Sequence, residues 1–273
     1  MKKITTIILL LFISLSGLWA KEYKRIISLA PSVTQSLYFL NAQDNLAGCT
    51  SYCLAAKKDN KEIVSSAVKP NIEKIISLKP DLVIGSGLTN PRDVATLENV
   101  GIKVKIFKSP KNFAQICSQF LEIGAMVGKH QEAIKIVRES IERVQKVSKQ
   151  IQWKTTPNIF FQIGADPIFT VVDNTFMNDY IKLLKGRNIG SGLQIGTLNR
   201  EFVLAKNPQY ILIATMGIIG DEEMKIWKKY TQLDAAKNNN IFIVNSDIAC
   251  QPTPVTFAQT METLGQYILS NKQ

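Results

Sequence analysis

NIEKIISLKPDLVI, residues 71–84, decides the fold because the chain repeats its pattern as NREFVLAKNPQYIL at residues 199–212. Each copy starts with an asparagine, continues with apolar residues at helical spacing, and passes a proline into a short apolar strand pattern. At a constant offset of 128 positions, the identical residues are Asn71 and Asn199, Glu73 and Glu201, and Pro80 and Pro208. The repeat predicts one helix–turn–strand unit at equivalent places in two similar halves of the chain.

Strand and helix patterns alternate at short spacing around the first copy. A short apolar strand, KRIISL, is followed by Pro31 and an amphipathic stretch, and a second strand, LAGCTSY, comes next. The first copy adds a helix at 72–78 and a strand at 81–85, and KVKIF at 103–107 is the next strand. This alternation is typical of an α/β layer with a largely parallel sheet.

A long helix is predicted between the two halves. Residues 129–152 contain neither proline nor glycine, and apolar residues recur there at a spacing of three or four. The residues of this stripe are Ile134, Val137, Ile141, Val144 and Val147. A continuous helix over this range is roughly 36 Å long at about 1.5 Å per residue.

The chain is therefore expected to be an α/β protein of two lobes joined by one long rigid helix. Each lobe should hold a central, mostly parallel sheet flanked by helices, because strand patterns such as NIFFQIG, QYILIAT and IFIVN resume after the long helix. The expected boundaries are 1–20 for a signal peptide, 21–128 for the N-terminal lobe, 129–153 for the linking helix and 154–273 for the C-terminal lobe.

The N-terminus has the pattern of an export signal. Lys2 and Lys3 precede an apolar run at 7–15, and residues 17–20, GLWA, resemble a processing site. The run is shorter than the about 20 apolar residues that span a bilayer, and no cysteine follows it closely. We therefore expect a cleaved signal peptide and a mature protein in the periplasm without a lipid anchor.

The net charge of +11 does not indicate nucleic-acid binding. Lysines are spread along helix patterns beside glutamates, and no arginine cluster with interleaved aromatic residues occurs. We expect no nucleic acid among the partners.

The sequence lacks the usual motifs of catalysis and nucleotide binding. His130 is the only histidine, so a zinc site of the usual kind has too few ligands. A serine nucleophile elbow, a phosphate loop and a dinucleotide fingerprint do not occur either. The residues favour a binding protein over an enzyme, since binding needs only a cleft and a few placed contacts.

Four stretches together resemble the periplasmic substrate-binding proteins of ABC importers for iron complexes and vitamin B12. They are RIISLAPSVTQSLYFL, PNIEKIISLKPDLVIG, GIKVKIF and FFQIGADPIFT. FFQIGADPIFT followed by NREFVLAKNPQYILI is most similar to the cobalamin-binding branch. The resemblance implies a ligand held between the lobes, and delivery of that ligand to an ABC permease dimer with its ATPase subunits. It also implies a monomer without a resident cofactor, whose cargo is a metal chelate: a corrinoid, haem or a ferric siderophore.

The resemblance assigns roles to residues on the loops that follow the strands. The candidate ligand-binding residues are Ser32, Tyr52, Cys53, Ser86, Phe169, Asp247 and Cys250. The family's two permease-docking glutamates fall on Glu73 and Glu201. The same carboxylates also fit a structural role, since each follows a capping asparagine in the first turn of a helix. An acid there is favoured by about 0.3–1 kcal/mol.

The four cysteines leave several arrangements open. Cys49 is expected within a strand and Cys117 on a helix, both as buried thiols. If residues 49–53 are extended, the two cysteines are roughly 13 Å apart, beyond the about 7 Å between Cα atoms that a disulfide allows. Cys53 and Cys250 are expected to border one cleft, where they line the site, form a disulfide or ligate a metal.

Some expected cleft positions depart from the cobalamin-binding branch. That branch carries tryptophans in these loops, whereas the mature chain has only Trp153 and Trp227, both expected on helices. Leu88, Ile195 and Ile248 stand near positions where aromatic residues are expected. These departures favour haem or a siderophore over a corrinoid. The alternative to a transport function is an exported α/β enzyme or a sensor on the same scaffold.

Overall fold

The first sheet is built from the N-terminal part of the chain. The computed structural model describes residues 22–66, 69–215 and 219–271, so the expected signal peptide lies outside the described residues. The strands of this sheet are β1 (Ile26–Ser28), β2 (Leu46–Thr50), β3 (Glu62–Ser65), β4 (Leu82–Ser86) and β5 (Val104–Phe107). They pair in parallel in the order β3-β2-β1-β4-β5.

Helices follow most of these strands. They are α1 (Pro31–Phe39), α2 (Leu54–Lys58), α3 (Ile72–Ser77), α4 (Pro91–Asn99) and α5 (Phe113–Met126), with a 3₁₀ turn at Gln43–Asn45. The sequence patterns predicted the amphipathic stretch of α1 and the helix α3 but missed α2 and β3. Both missed elements are only four or five residues long, and the lysine-rich stretch at 57–61, which leads from the end of α2 to β3, has no apolar periodicity.

The second sheet comes from the C-terminal part of the chain. Its strands are β6 (Asn158–Ala165), β7 (Ile168–Thr170), β8 (Arg187–Asn188), β9 (Thr197–Leu198), β10 (Tyr210–Ile213) and β11 (Ile241–Ile243). The order is β11-β10-β6-β7-β9, and β8 also pairs with β6. Strands β11, β10, β6 and β8 run parallel, whereas β7 and β9 pair in antiparallel fashion. The expected α/β class is confirmed, with a mixed second sheet.

The helices of this part surround the second sheet. They are α7 (Phe176–Leu183), α8 (Arg200–Lys206), α9 (Ile219–Lys228), α10 (Asp234–Lys237), α11 (Ser246–Ala249) and α12 (Pro254–Ser270). Across the described residues, no helix combines the length and the apolar character required to cross a membrane.

One long helix, α6 (His130–Gln150), connects the two sheets. It has 21 residues, which is shorter than the predicted range. It starts after Gly128, whose φ of 69° ends α5, and it stops where Ile151 takes an extended conformation. Trp153 therefore follows the helix instead of lying on it, and its indole N–H donates a hydrogen bond to the carbonyl oxygen of Leu184 at 2.7 Å.

Part of the apolar stripe of α6 is buried in the core beside each sheet, whereas Ile134 and Ile141 are only half-buried. Ala133 and Val137 belong to the cluster of buried side chains beside the first sheet. Val144 and Val147 belong to the cluster beside the second sheet. Burial of one rigid helix in both clusters fixes the position of the two sheets relative to each other.

Glycines let the neighbouring helices approach α6 closely. A Cβ atom placed on Gly124 of α5 would lie 2.5 Å from the Cβ of Ala133. A Cβ atom on Gly265 of α12 would lie 2.5 Å from Cγ1 of Val147. Both separations are too short for a larger residue without movement of a helix, so glycine is required for this spacing.

The repeated unit has the same local structure in both copies. Asn71 and Asn199 cap α3 and α8, and each side chain accepts a hydrogen bond at 2.9 Å from the backbone N–H three residues later. Both helices are followed by a residue in the left-handed region before the repeated proline, Lys79 with φ of 47° and Asn207 with φ of 40°. The repeat predicted from the sequence is therefore present in the fold.

A side chain in each copy also holds the start of the neighbouring strand. The carboxylate of Asp81 accepts hydrogen bonds from the backbone N–H groups of Lys24 and Arg25, at 2.8 and 3.1 Å, just before β1. The side-chain oxygen of Gln209 accepts one from the N–H of Asn158, at 2.8 Å, at the start of β6. The two halves use the same device with different residues.

We expect the Asp81→Ala substitution to lower the free energy of unfolding by about 1.5–3 kcal/mol, because two backbone N–H groups lose a charged acceptor. Gln209→Ala should cost about 1–3 kcal/mol, since it removes the bond to Asn158 together with the two that the side-chain amide donates to the carbonyl oxygen of Asn207 and the carboxylate of Asp234. Urea unfolding measures both values. The exposed Glu98 provides the control, and Glu98→Ala should change stability by less than about 0.5 kcal/mol. An Asp81→Ala value equal to that control would contradict the role of the carboxylate.

Candidate functional site

A cavity of about 300 Å³, called here the main cavity, lies between the parts of the chain that carry the two sheets. Loops that follow the carboxyl ends of β1, β4 and β5 line it from the N-terminal side. Phe176 and residues 250–252, between α11 and α12, line it from the C-terminal side. Ligands of open α/β sheets bind outside the carboxyl ends of the strands. The main cavity is therefore the candidate binding site.

A smaller cavity of about 110 Å³ adjoins the main cavity. Pro31 and Gln251 line both. The other residues of the smaller cavity are Thr34, Gln35, Cys53, Leu54, Ala55, Asp247 and Ile248. Residues from the N-terminal and C-terminal parts of the chain both line this smaller cavity, so the two cavities lie side by side along the contact between those parts.

Five of the predicted ligand-binding residues lie at these cavities. Ser32, Ser86 and Cys250 line the main cavity. Cys53 and Asp247 line the smaller one. The structure therefore brings together residues from four separate loops, each at or just beyond the end of a strand. Their roles toward a ligand stay predictions.

Tyr52 and Phe169 line neither cavity. Tyr52 is 50% exposed next to Cys53, and Phe169 is 38% exposed on β7, opposite the last residues of β6. Ile195 precedes β9, which pairs with β7, and it is 69% exposed. Leu88 is 89% exposed at the main cavity. Exposed aliphatic side chains thus occupy two positions where aromatic ones were expected.

The structure adds lining residues that the sequence analysis missed. Lys108 and Ser109 had a usable signal, because they directly follow β5 at the same edge as the predicted residues. No sequence signal identified the buried apolar residues that line the main cavity, because their place depends on how α1 and α5 pack across the sheet. They are Val33, Phe107, Ile116, Phe120 and Ile123.

The four cysteines are free thiols. Cys49 is buried on β2 and Cys117 is buried on α5, as predicted. Residues 49–53 are not fully extended, because the N–H of Cys53 donates a hydrogen bond to the carbonyl oxygen of Thr50 at 3.1 Å and closes a turn. In the part of the chain that the structure describes, no three His, Cys, Asp or Glu side chains are grouped to hold a metal ion.

The sulfur of Cys53 is surrounded by hydrogen-bond donors. A hydrogen bond from the Cys49 thiol lowers the pKa of Cys53, against the raising effect of burial. The hydroxyl oxygens of Thr34 and Thr50, 3.1 and 3.2 Å from the sulfur, lower this pKa further. The same thiol–thiol hydrogen bond raises the pKa of Cys49 far above its ordinary value. Cys53 is therefore the cysteine that ionises most readily.

Glu73 and Glu201 are exposed in the first turns of α3 and α8. Each helix packs beside its sheet and leads into a parallel strand, so its N-terminus lies at the carboxyl edge of that sheet. Within the described ranges, neither carboxylate takes part in an ion pair. Both acids are accessible to a partner that approaches the edge containing the main cavity.

Comparison with known proteins identifies the family. The family model described as periplasmic binding protein matches residues 26–248. The chain belongs to this family. The resemblance inferred from the sequence is confirmed, and the residues that line the main cavity lie within the matched range except for residues 250–252, which directly follow it.

Several relatives match most of the length of this periplasmic binding protein. A vitamin B12-binding protein of Vibrio vulnificus (strain YJ016) is 28% identical over 94% of this chain and 93% of its own. An uncharacterized ABC transporter substrate-binding lipoprotein of Bacillus subtilis (strain 168) is 27% identical over 86% of this chain and 76% of its own. The crystal structure of the periplasmic vitamin B12 binding protein of Vibrio cholerae matches with a TM-score of 0.78 and 26% identity, over 92% and 99% of the two chains. The two-lobe fold is therefore confirmed.

We expect the thiolate absorbance of this periplasmic binding protein to rise at a pH below the ordinary thiol midpoint of about 8.5, because hydrogen bonds lower the pKa of Cys53. Burial raises the pKa of Cys117 to about 12, and local desolvation and the charge of Asp247 raise the pKa of Cys250, so neither contributes near neutral pH. Cys49→Ala should move the midpoint upward, because the thiol donor is lost. Cys117→Ala is the control and should leave it unchanged. A native midpoint near the ordinary thiol value of about 8.5 would show that the hydrogen bonds do not favour the thiolate.

Proposed function

We propose that this periplasmic binding protein captures a metal chelate at the main cavity, between its two lobes, and delivers it to an ABC importer. One observation carries the proposal: a single cavity at the carboxyl edges of the sheets is lined from both lobes. A ligand that contacts both lobes at once stabilises one arrangement of them, which is what a permease needs to distinguish a loaded protein from an empty one.

The names of the relatives and the lining of the cavity support different chelates. Relatives named for vitamin B12 binding support a corrinoid. The main cavity has no tryptophan among its described lining residues, and it offers hydroxyl and amide groups such as those of Ser86, Gln119 and Gln251. This lining supports haem or a ferric siderophore. The proposed cargo is therefore the chelate class, and a panel of its members identifies the ligand.

The mature protein, mixed with cobalamin, haem and ferric siderophores, should retain one of them at unit stoichiometry. Absorbance spectroscopy and native mass spectrometry measure the retained ligand. Ser32→Trp should reduce binding at least about tenfold, because the larger side chain occupies the cavity wall. Ser118→Trp, on the exposed face of α5, is the matched control and should bind as the native protein does.

Two results would contradict the proposal. Retention of every chelate by Ser32→Trp at native affinity would place the ligand elsewhere. Turnover of a panel member without any retained ligand would favour the alternative of an exported enzyme on this scaffold.

We extend the proposal to delivery through Glu73 and Glu201, as the family resemblance implies. Both acids are exposed at equivalent positions of the repeated unit, near the edges that border the main cavity. Ion pairs between these acids and arginines of two permease subunits would mainly set orientation and encounter rate. The asparagine caps at the N-termini of these two helices fix where each carboxylate lies.

Charge reversal of both acids, Glu73→Lys with Glu201→Lys, should abolish uptake and leave chelate affinity unchanged. The reason is that like charges would face the permease arginines, while the cavity stays intact. A transport assay in reconstituted vesicles, run beside a binding titration, separates the two effects. Glu98→Lys introduces the same change at another exposed acid and should transport normally. Uptake by the double variant at the native rate would disprove the docking role.

We also propose that the protein acts as a monomer in the periplasm after cleavage near residue 20, without a lipid anchor. The Bacillus subtilis relative is named a lipoprotein. The first cysteine of this chain, Cys49, is buried on β2 in the first sheet. The thiol of Cys49 is therefore not accessible for lipid attachment in the folded protein.

A further inference from the structure

The inner part of the main cavity extends into the N-terminal lobe between α1 and α5. Val33 and Ser36 of α1 line it on one side. Ile116, Phe120 and Ile123 of α5 line it on the other. All five residues are at most 3% exposed, and four of them are apolar. These residues close the inner end of the cavity, and because the apolar ones belong to the packed core clusters, each presents only a small part of its surface to the cavity.

Polar groups of the main cavity lie at its more exposed end. Ser32, Ser86 and Ser109 carry hydroxyl groups there. Lys108 is the only charged residue among the described residues that line the cavity, and none of the ion pairs formed by the described residues involves it. The side-chain amide of Gln119 donates a hydrogen bond to the carbonyl oxygen of Lys108 at 2.7 Å, which ties this loop to α5.

We propose that the main cavity takes a compact aromatic or aliphatic group that carries an anionic end. The apolar part lies against the wall between α1 and α5, and the anion lies at the end that Lys108 lines. Burial of the apolar part supplies the affinity, and the positive charge of Lys108 at the exposed end favours a ligand with a negative charge. This inference rests on the proposed function and specifies it, because it assigns a chemical class to the part of the cargo that enters the cavity.

The volume of the cavity limits what enters. About 300 Å³ lies at the lower end of the about 300–1,000 Å³ that pockets for drug-sized ligands occupy. A complete corrinoid, with its macrocycle and nucleotide arm, exceeds this volume. A large chelate therefore inserts one acidic side group and keeps its metal outside, in the gap between the lobes. A small chelate built from aromatic acids places most of its surface inside.

Two fluorescent dyes test the apolar wall and the charge separately. Anilinonaphthalenesulfonate is an anionic aromatic molecule, and phenylnaphthylamine is its uncharged counterpart; both fluoresce when they enter an apolar site. The native mature protein should bind one molecule of each dye. Ile123→Phe should weaken both at least about tenfold, because the added ring fills the inner cavity. Val33→Phe fills the same space from α1 and serves as a second variant if Ile123→Phe does not fold.

A matched control lies two residues away on the same helix. Leu121 lines a separate groove shared with α6, so Leu121→Phe should leave both affinities unchanged. Lys108→Gln should weaken the anionic dye about threefold and leave the neutral dye unaffected, since only the charge at the rim is removed. Thermal unfolding of each variant shows that it is folded, and a filled cavity should keep or raise the melting temperature.

The outcomes separate this inference from the proposed function. If Ile123→Phe and the native protein bind the dyes with equal affinity, the proposal that such groups bind in the main cavity is overturned. Native chelate affinity in a folded Ile123→Phe variant that has lost the dyes overturns the inference about the cargo and leaves the transport function standing. Dye binding to the native protein without retention of any chelate overturns the proposed cargo and supports the cavity as a site for anionic apolar molecules.

Discussion

Burial of a single helix in two cores is the constraint on which this structure depends. The stripe of α6 contributes Ala133 to the core beside the first sheet and Val147 to the core beside the second. Glycines on α5 and α12 let those helices contact α6 closely, and the guanidinium of Arg143 donates two hydrogen bonds, at 2.8 and 2.6 Å, to the carboxylate of Glu262 on α12. Because a helix bends only at the expense of its backbone hydrogen bonds, the two lobes keep a nearly fixed separation and orientation.

The fixed spacing gives the repeated helix–turn–strand unit its importance. In each lobe the unit starts at an asparagine cap and leaves through a left-handed residue before proline. It therefore presents Glu73 and Glu201 at the same position of each sheet edge. The two roles of this helix start are compatible. The asparagine cap that stabilises the helix also fixes the position of the carboxylate that would contact a partner. The same edges border the main cavity, so cargo and permease would be recognised on neighbouring surfaces.

The candidate site was only partly predictable. Residues that directly follow a strand, such as Ser32, Ser86 and Asp247, were found because parallel strands end at one edge of a sheet. Cys53 was found for the same reason, but its environment was not, because a backbone hydrogen bond to Thr50 closes the turn that places it near Cys49, and the hydroxyl of Thr34, distant in the sequence, contacts its sulfur. The apolar wall formed by α1 and α5 left no pattern, since its residues follow ordinary core periodicity and differ from other core residues only in facing a cavity.

The sequence by itself determined the α/β class, the two similar halves, the long helix between them and the family. Each of these is carried by local periodicity or by a motif whose meaning does not depend on distant residues. Only the tertiary structure decided that Trp153 lies beyond the end of α6, that Tyr52 and Phe169 lie outside both cavities, and that an apolar wall joins Lys108 at the strand ends. Those features result from contacts between residues far apart in the chain, where shape and close packing select among arrangements that the same hydrophobic pattern allows equally.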